Sequence, residues 1–169
     1  MTGMGAADAS VTATQSVSAA SAPNAIDLPF RVSARADYAI RALTEIAAAG
    51  GGPITAHRIS RAQAIPHGVL LNILVELRRA GLIRSHPGAG YQLARSAAHI
   101  TLAEAIDIIQ RDLSRPTIEQ ITYPGAAGPL RDVWLAVRSS LFSVLGSVTL
   151  ADVAEGTLPS AVRALAEHP

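Results

Sequence analysis

Residues 77–95 read LRRAGLIRSHPGAGYQLAR. The stretch ends a helix and at once begins two brief strands, LIRSH (82–86) and YQLAR (91–95), which alternate around a PGAG tip. A two-stranded hairpin alone is marginal in water. It has to lean on the elements that precede it, and this requirement constrains the fold more than any other feature of the chain.

Those elements are helices. Ala36, Ala39, Ile40, Leu43, Ile46 and Ala47 recur at helical spacing and predict a helix over 34–49, capped by Ser33 and stopped by GGGP at 50–53. Thr55 caps a second helix over 56–63, with Ile59 and Ala62 as its inward residues. AIP at 64–66 is a short turn. A third helix over 67–80 starts after Pro66, ends at Gly81 and carries the stripe Leu70, Ile73, Leu74 and Leu77. Two such helices across a short turn match a helix-turn-helix. With the leaning hairpin they predict a winged helix-turn-helix, mainly α with a small β wing whose tip can lie beside a nucleic-acid backbone.

Thr101 and Glu104 read as a capping box for a linking helix over 102–110. Residues 111–128 are a loop with two Pro and two Gly. A long helix over 129–146 carries Leu130, Val133, Trp134, Val137, Leu141, Val144 and Leu145, with Leu135 and Phe142 widening the stripe. So broad an apolar surface has two sides to bury, one against its own domain and one against a partner subunit. A short helix follows from Thr149, and 157–169 is loosely specified as a C-terminal tail. The Ala/Ser/Thr-rich residues 1–30 cannot bury enough surface to offset ordering and read as a disordered tail. The expected division is therefore tail 1–30, winged domain 31–98, linking and long helices 99–156, and tail 157–169.

Charge is uneven. All 14 basic residues are arginine. Residues 31–95 carry nine of them against three acids, a net charge of +6, whereas 96–169 carry net −3 and 1–30 net −2. This is a polyanion-binding segment beside an acidic one, or an arginine-rich solvated face. The chain has no cysteine, which excludes disulfides, thiolate zinc sites and all-cysteine iron–sulfur ligation. The histidines, at 57, 67, 86, 99 and 168, form no helical i, i+4 pair. No metal and no cofactor is expected. No nucleophile elbow and no phosphate-cradling loop at a strand–helix junction is present, so an enzyme is not expected. No apolar run spans a bilayer, and the basic-then-apolar start of a secretory signal is missing, so the expected location is the cytoplasm.

The order of these elements resembles the Rrf-two family, the IscR- and NsrR-type winged-helix transcription factors. RVSARADYAIRAL resembles its opening helix, IPHGVLLNILVELRRAGLIRS its recognition helix and first wing strand, and GYQLAR its second strand. ITLAEAIDII resembles the linking helix, and VWLAVRSSLFSVLGSVTLADVAEG the dimerisation helix and its tail. The resemblance implies a homodimeric regulator, a repressor, on an imperfect palindrome of double-stranded DNA, with recognition helices in major grooves and wings at minor grooves.

By position, Ser33, Arg35 and Tyr38 correspond to phosphate contacts of the opening helix, Tyr38 being equally a half-buried helix residue. Arg58 and Arg61 of the second helix are candidate phosphate contacts or surface charges. On the recognition helix His67, Gly68, Leu71, Asn72 and Val75 face outward. Asn72 has the groups to read an adenine edge. Leu71, where the family often has a polar or acidic residue, touches a thymine methyl or packs. Arg78 and Arg79 read as solvated. The wing tip around Arg84, His86 and Gly88 is shorter than is common in the family, with Arg84 and His86 as the nearby side chains able to carry charge. Dimerisation falls to Val133, Trp134, Val137, Leu141, Val144 and Leu145, with Trp134 read as core. The loop that carries cluster-binding cysteines in the best-known members has neither cysteine nor histidine here, and Asp37 reads as a cap-region or surface acid. A cysteine-less member without the cluster is implied, with a small-molecule effector pocket near Arg111, Arg115 and Tyr123 as one route of control. The rival reading is a winged helix that docks on protein.

Overall fold

Ser33 sits in extended backbone, and its Oγ accepts the Ala36 N–H at 3.2 Å, satisfying one of the orphan donors at the start of α1, Ala34–Ala48. The computed structural model describes residues 32–110 and 121–167. Thr55 performs the same capping for α2, Ala56–Gln63, accepting from Arg58 N–H at 3.3 Å. The turn to α3, His67–Arg79, is made by Ala64 in the left-handed region at φ +50 and is closed by the Ser60 hydroxyl donating to the Ile65 carbonyl at 2.7 Å. Ile59 is buried as the spacing predicts, but Ala62, expected beside it, is exposed. A helix of two turns has room for one buried stripe position here, and Ile65 of the turn fills the neighbouring place in the core.

The wing is β1, Ile83–His86, antiparallel to β2, Gly90–Leu93. Ile54 extends it: its N–H donates to the Tyr91 carbonyl and its carbonyl accepts the Tyr91 N–H, both at 2.8 Å. The hairpin thus gains a third backbone partner from the segment after α1. The approach is close enough that a Cβ on Gly90 would fall 2.2 Å from the Ile54 carbonyl oxygen, and Gly90 lies at φ +114. Only glycine fits there.

Thr101 opens α4, Leu102–Gln110, by accepting the Glu104 N–H at 3.2 Å. The expected reciprocal half of the capping box is replaced, because the Glu104 carboxylate pairs with Arg95 at the foot of the wing. Later in the chain comes α5, Leu130–Gly146. Leu102 N–H donates to the Val148 carbonyl and Leu150 N–H to the Ile100 carbonyl, each at 2.9 Å. A full capping box between Thr149 and Asp152 starts α6, Leu150–Glu155, which ends at Gly156 in the left-handed region. The Thr149 hydroxyl and N–H both donate to the Asp152 carboxylate and hold its pKa below the ordinary carboxylate value.

One core joins these pieces. Leu43, Leu70, Ile73, Leu74 and Leu77 pack with Ile100, Ala105 and Leu150, so α4 and α6 complete the core that α1–α3 begin. The stretch 157–169, expected to be loosely specified, holds a seventh helix, α7, Ser160–Glu167, with no buried residue. Residues 1–30 lie outside the described residues.

Candidate nucleic-acid interface

The inward stripe of α3 dictates what faces out. With Leu70, Ile73, Leu74 and Leu77 fully buried, the 100° step of the helix turns His67, Gly68, Leu71 and Asn72 to the surface, where all four are exposed, and leaves Val75 half-buried. Leu71 is 39% exposed, as is Val69. Between this face and the first turns of α1 runs an open groove of about 630 Å³. Arg35 and Tyr38 line it from α1, and Asn72, Val75, Glu76 and Arg79 from α3. The sequence-predicted Arg35, Tyr38 and Asn72 therefore share one groove.

Each has its local setting. Ser33 is exposed at the lip of α1, accepting from Ala36 and, at 3.5 Å, from Gln110 Nε2 at the end of α4. Tyr38 is half-buried against the core with the Arg41 guanidinium 5.6 Å from its ring centroid. Asp37 is an exposed surface acid, paired with Arg41 at 3.3 Å. Arg35 forms an ion pair with Glu76 across the groove, which joins the opening helix to the recognition helix. Arg79, read from sequence as solvated, is part of the groove.

Sequence reasoning missed Glu76. The signal was present: it is the sole acid of the third helix and lies four residues after Asn72, on the same face.

The other predicted contacts lie on neighbouring surfaces. Arg58 and Arg61 are exposed on α2, and neither enters an ion pair among the described residues. His57 and His67 meet edge to face with ring centroids 6.4 Å apart at the start of the two helices. Arg84 and His86 are exposed on β1, and Gly88 forms the wing tip at φ +74. On α5 Val133 is 49% exposed, and Trp134, Val137, Leu141, Val144 and Leu145 are half-buried. Tyr123 is half-buried with its hydroxyl enclosed and unpartnered among the described residues. Arg111 and Arg115 lie outside the described residues. No three His, Asp or Glu side chains gather as a metal site among those described.

Residues 32–156 match the profile of the Rrf2 family, described as an iron-dependent transcriptional regulator. A protein of Mycobacterium tuberculosis (strain H37Rv), provisionally named an HTH-type transcriptional regulator, is 41% identical over 143 residues, covering 81% of this chain and 89% of that one. The structure of CymR, titled the global cysteine regulator of B. subtilis, superposes with a TM-score of 0.63 at 27% identity, covering 74% of this chain and 96% of that one. T. potens IscR superposes with a TM-score of 0.63 at 29% identity, covering 75% and 87%. These relatives are transcriptional regulators, not enzymes. With α1 to α6 inside the match, the chain belongs to the Rrf2 family of winged helix-turn-helix, DNA-binding transcriptional regulators.

Proposed function

We propose that the chain is a homodimeric repressor that reads an imperfect palindrome without an iron–sulfur cluster. The observation that carries the reading is the groove in which Asn72, a base-edge reader by its paired donor and acceptor, stands beside the phosphate donors Arg35 and Tyr38. Positioning groups and a specifying group on adjoining helices are what sequence-specific binding needs.

Dimerisation is supported by α5. It buries none of its own residues, and its apolar side, with Leu130 42% and Val133 49% exposed, suits a second copy of the same helix. A two-fold protein then matches a two-fold operator. A cluster does not fit this chain: it has no thiolate to offer, and residues 111–120, RDLSRPTIEQ, supply neither cysteine nor histidine. A small molecule near Arg111, Arg115 and Tyr123 is one route of control, beside constitutive binding and a partner protein, and would act through different affinity for the two dimer geometries. The site of action is the cytoplasm, with the DNA. The exposed Val69 and Leu71 favour a second reading, in which the outer face of α3 docks on protein.

Selection of genomic fragments by the purified chain at two salt concentrations separates the readings. A palindrome enriched at low salt and lost at high salt supports the repressor, since phosphate neutralisation makes affinity fall steeply with salt. Salt-insensitive capture of protein supports the second reading. On the selected operator Asn72→Ala is expected to cost about 1–3 kcal/mol and to relax base preference at one position per half-site. Equal loss on every sequence rules out that role for Asn72.

A further inference from the structure

Glu76 is an acid on a face otherwise suited to DNA. Its half-exposed carboxylate lies in the groove and is bonded there to Arg35, whose guanidinium lines the same groove from α1 and which we read as a phosphate contact. A carboxylate and a phosphate present the same kind of anionic oxygen to a guanidinium. They are competitors for one donor.

We propose that Glu76 is an intramolecular competitor of the DNA phosphate for Arg35, and so sets how tightly the chain holds DNA. A phosphate that reaches Arg35 displaces Glu76 and leaves its charge in the groove, beside Asn72 one turn away and Arg79 three residues on. Each half-site contact through Arg35 is weakened by the ion pair that it breaks. The contest is local: Arg58, Arg61 and Arg84 have no acid pairing with them among the described residues and remain available to phosphate from the start. Arg35 is distinct from them in having to be released.

The proposal rests on the DNA-binding reading of this groove. Its test is fluorescence anisotropy with two labelled duplexes, the selected operator and a scrambled one of equal length, across a series of salt concentrations. The full chain is compared with E76Q, E76A, R35A and the double variant E76Q/R35A. Both Glu76 variants are expected to tighten binding to both duplexes, by about fivefold per half-site, the upper range for an exposed ion pair. The slope of log affinity against log salt should steepen by about one per protomer as Arg35 becomes a full phosphate contact. In the R35A background the gain from E76Q should vanish.

Unchanged or weaker binding by E76Q and E76A overturns the proposal while leaving the DNA reading intact. The same gain with and without Arg35 also overturns it, since Glu76 would then act on phosphate directly. Failure of the unaltered chain and of every variant to bind either duplex at low salt overturns the DNA reading, and the proposal with it.

Discussion

The recognition helix α3 and the long helix α5 carry the same kind of apolar stripe and meet different fates. α3 buries Leu70, Ile73, Leu74 and Leu77 completely within its own chain. α5 is longer and buries none of its residues. A stripe in a sequence states that a face has to be hidden; it does not state what hides it. The difference between the two helices is topological. α3 is enclosed by α1, α2, α4 and β1, whereas α5 packs chiefly on α4, and the chain bonds to the body just past its C-terminal end, at Val148 and Leu150.

The largest expected effect breaks the enclosed side of this comparison. Leu74→Ala leaves a void in the core and is expected to lower unfolding free energy by about 2–5 kcal/mol, read by denaturant titration. The matching change on the open side, Val133→Asp, should leave the unfolding of dilute protein within about 0.5 kcal/mol of the unaltered chain and instead halve the mass seen by light scattering at high concentration. Loss of the folded state in the second variant would mean that α5 is part of the body after all. Gly90→Ala tests whether the wing is held as firmly as α3. Its Cβ would meet the Ile54 carbonyl, so the wing has to shift, and about 1–3 kcal/mol of stability is expected to go, with loss of amide protection at Ile54 and Tyr91 in hydrogen exchange.

The smallest effect lies at the start of α6, where the chain rejoins the body. Asp152 titrates below the ordinary carboxylate value because Thr149 donates to it twice. A carboxylate with a lowered folded pKa contributes stability that is complete above its unfolded pKa and is lost as pH falls through the folded value. Asp152→Ala should therefore differ from the unaltered chain at neutral pH and converge with it in strong acid, in melts recorded from pH 7 to pH 2. A difference that persists unchanged in acid would assign the effect to packing instead.

The body was legible because its signals are local. The Ser33 and Thr55 caps, the Leu70–Leu77 stripe and the Gly81 stop each act within a turn or two of chain, and the structure has them where the spacing places them. The site was legible only on one side. Outward residues of α3 follow from its inward ones, so Asn72 could be named, but the meeting of Arg35 with Glu76 spans 41 positions and depends on the tertiary packing of α1 on α3. No periodicity carries that. The same holds for Glu104, whose local partner Thr101 is outcompeted by the charge of Arg95 brought over by the wing. α7 was missed because its amphipathic run, SAVRALAE, is short and follows directly on a loop containing Pro159.

The return of the chain at Val148–Leu150 has a consequence for how the protein is made. Leu150 is fully buried in the core that Leu43 and Leu70 share, so that core is complete only when residue 150 has been added to the chain. α5 precedes residue 150 in the chain, so a helix with an exposed apolar side is made before the last piece of the core that the winged helices begin.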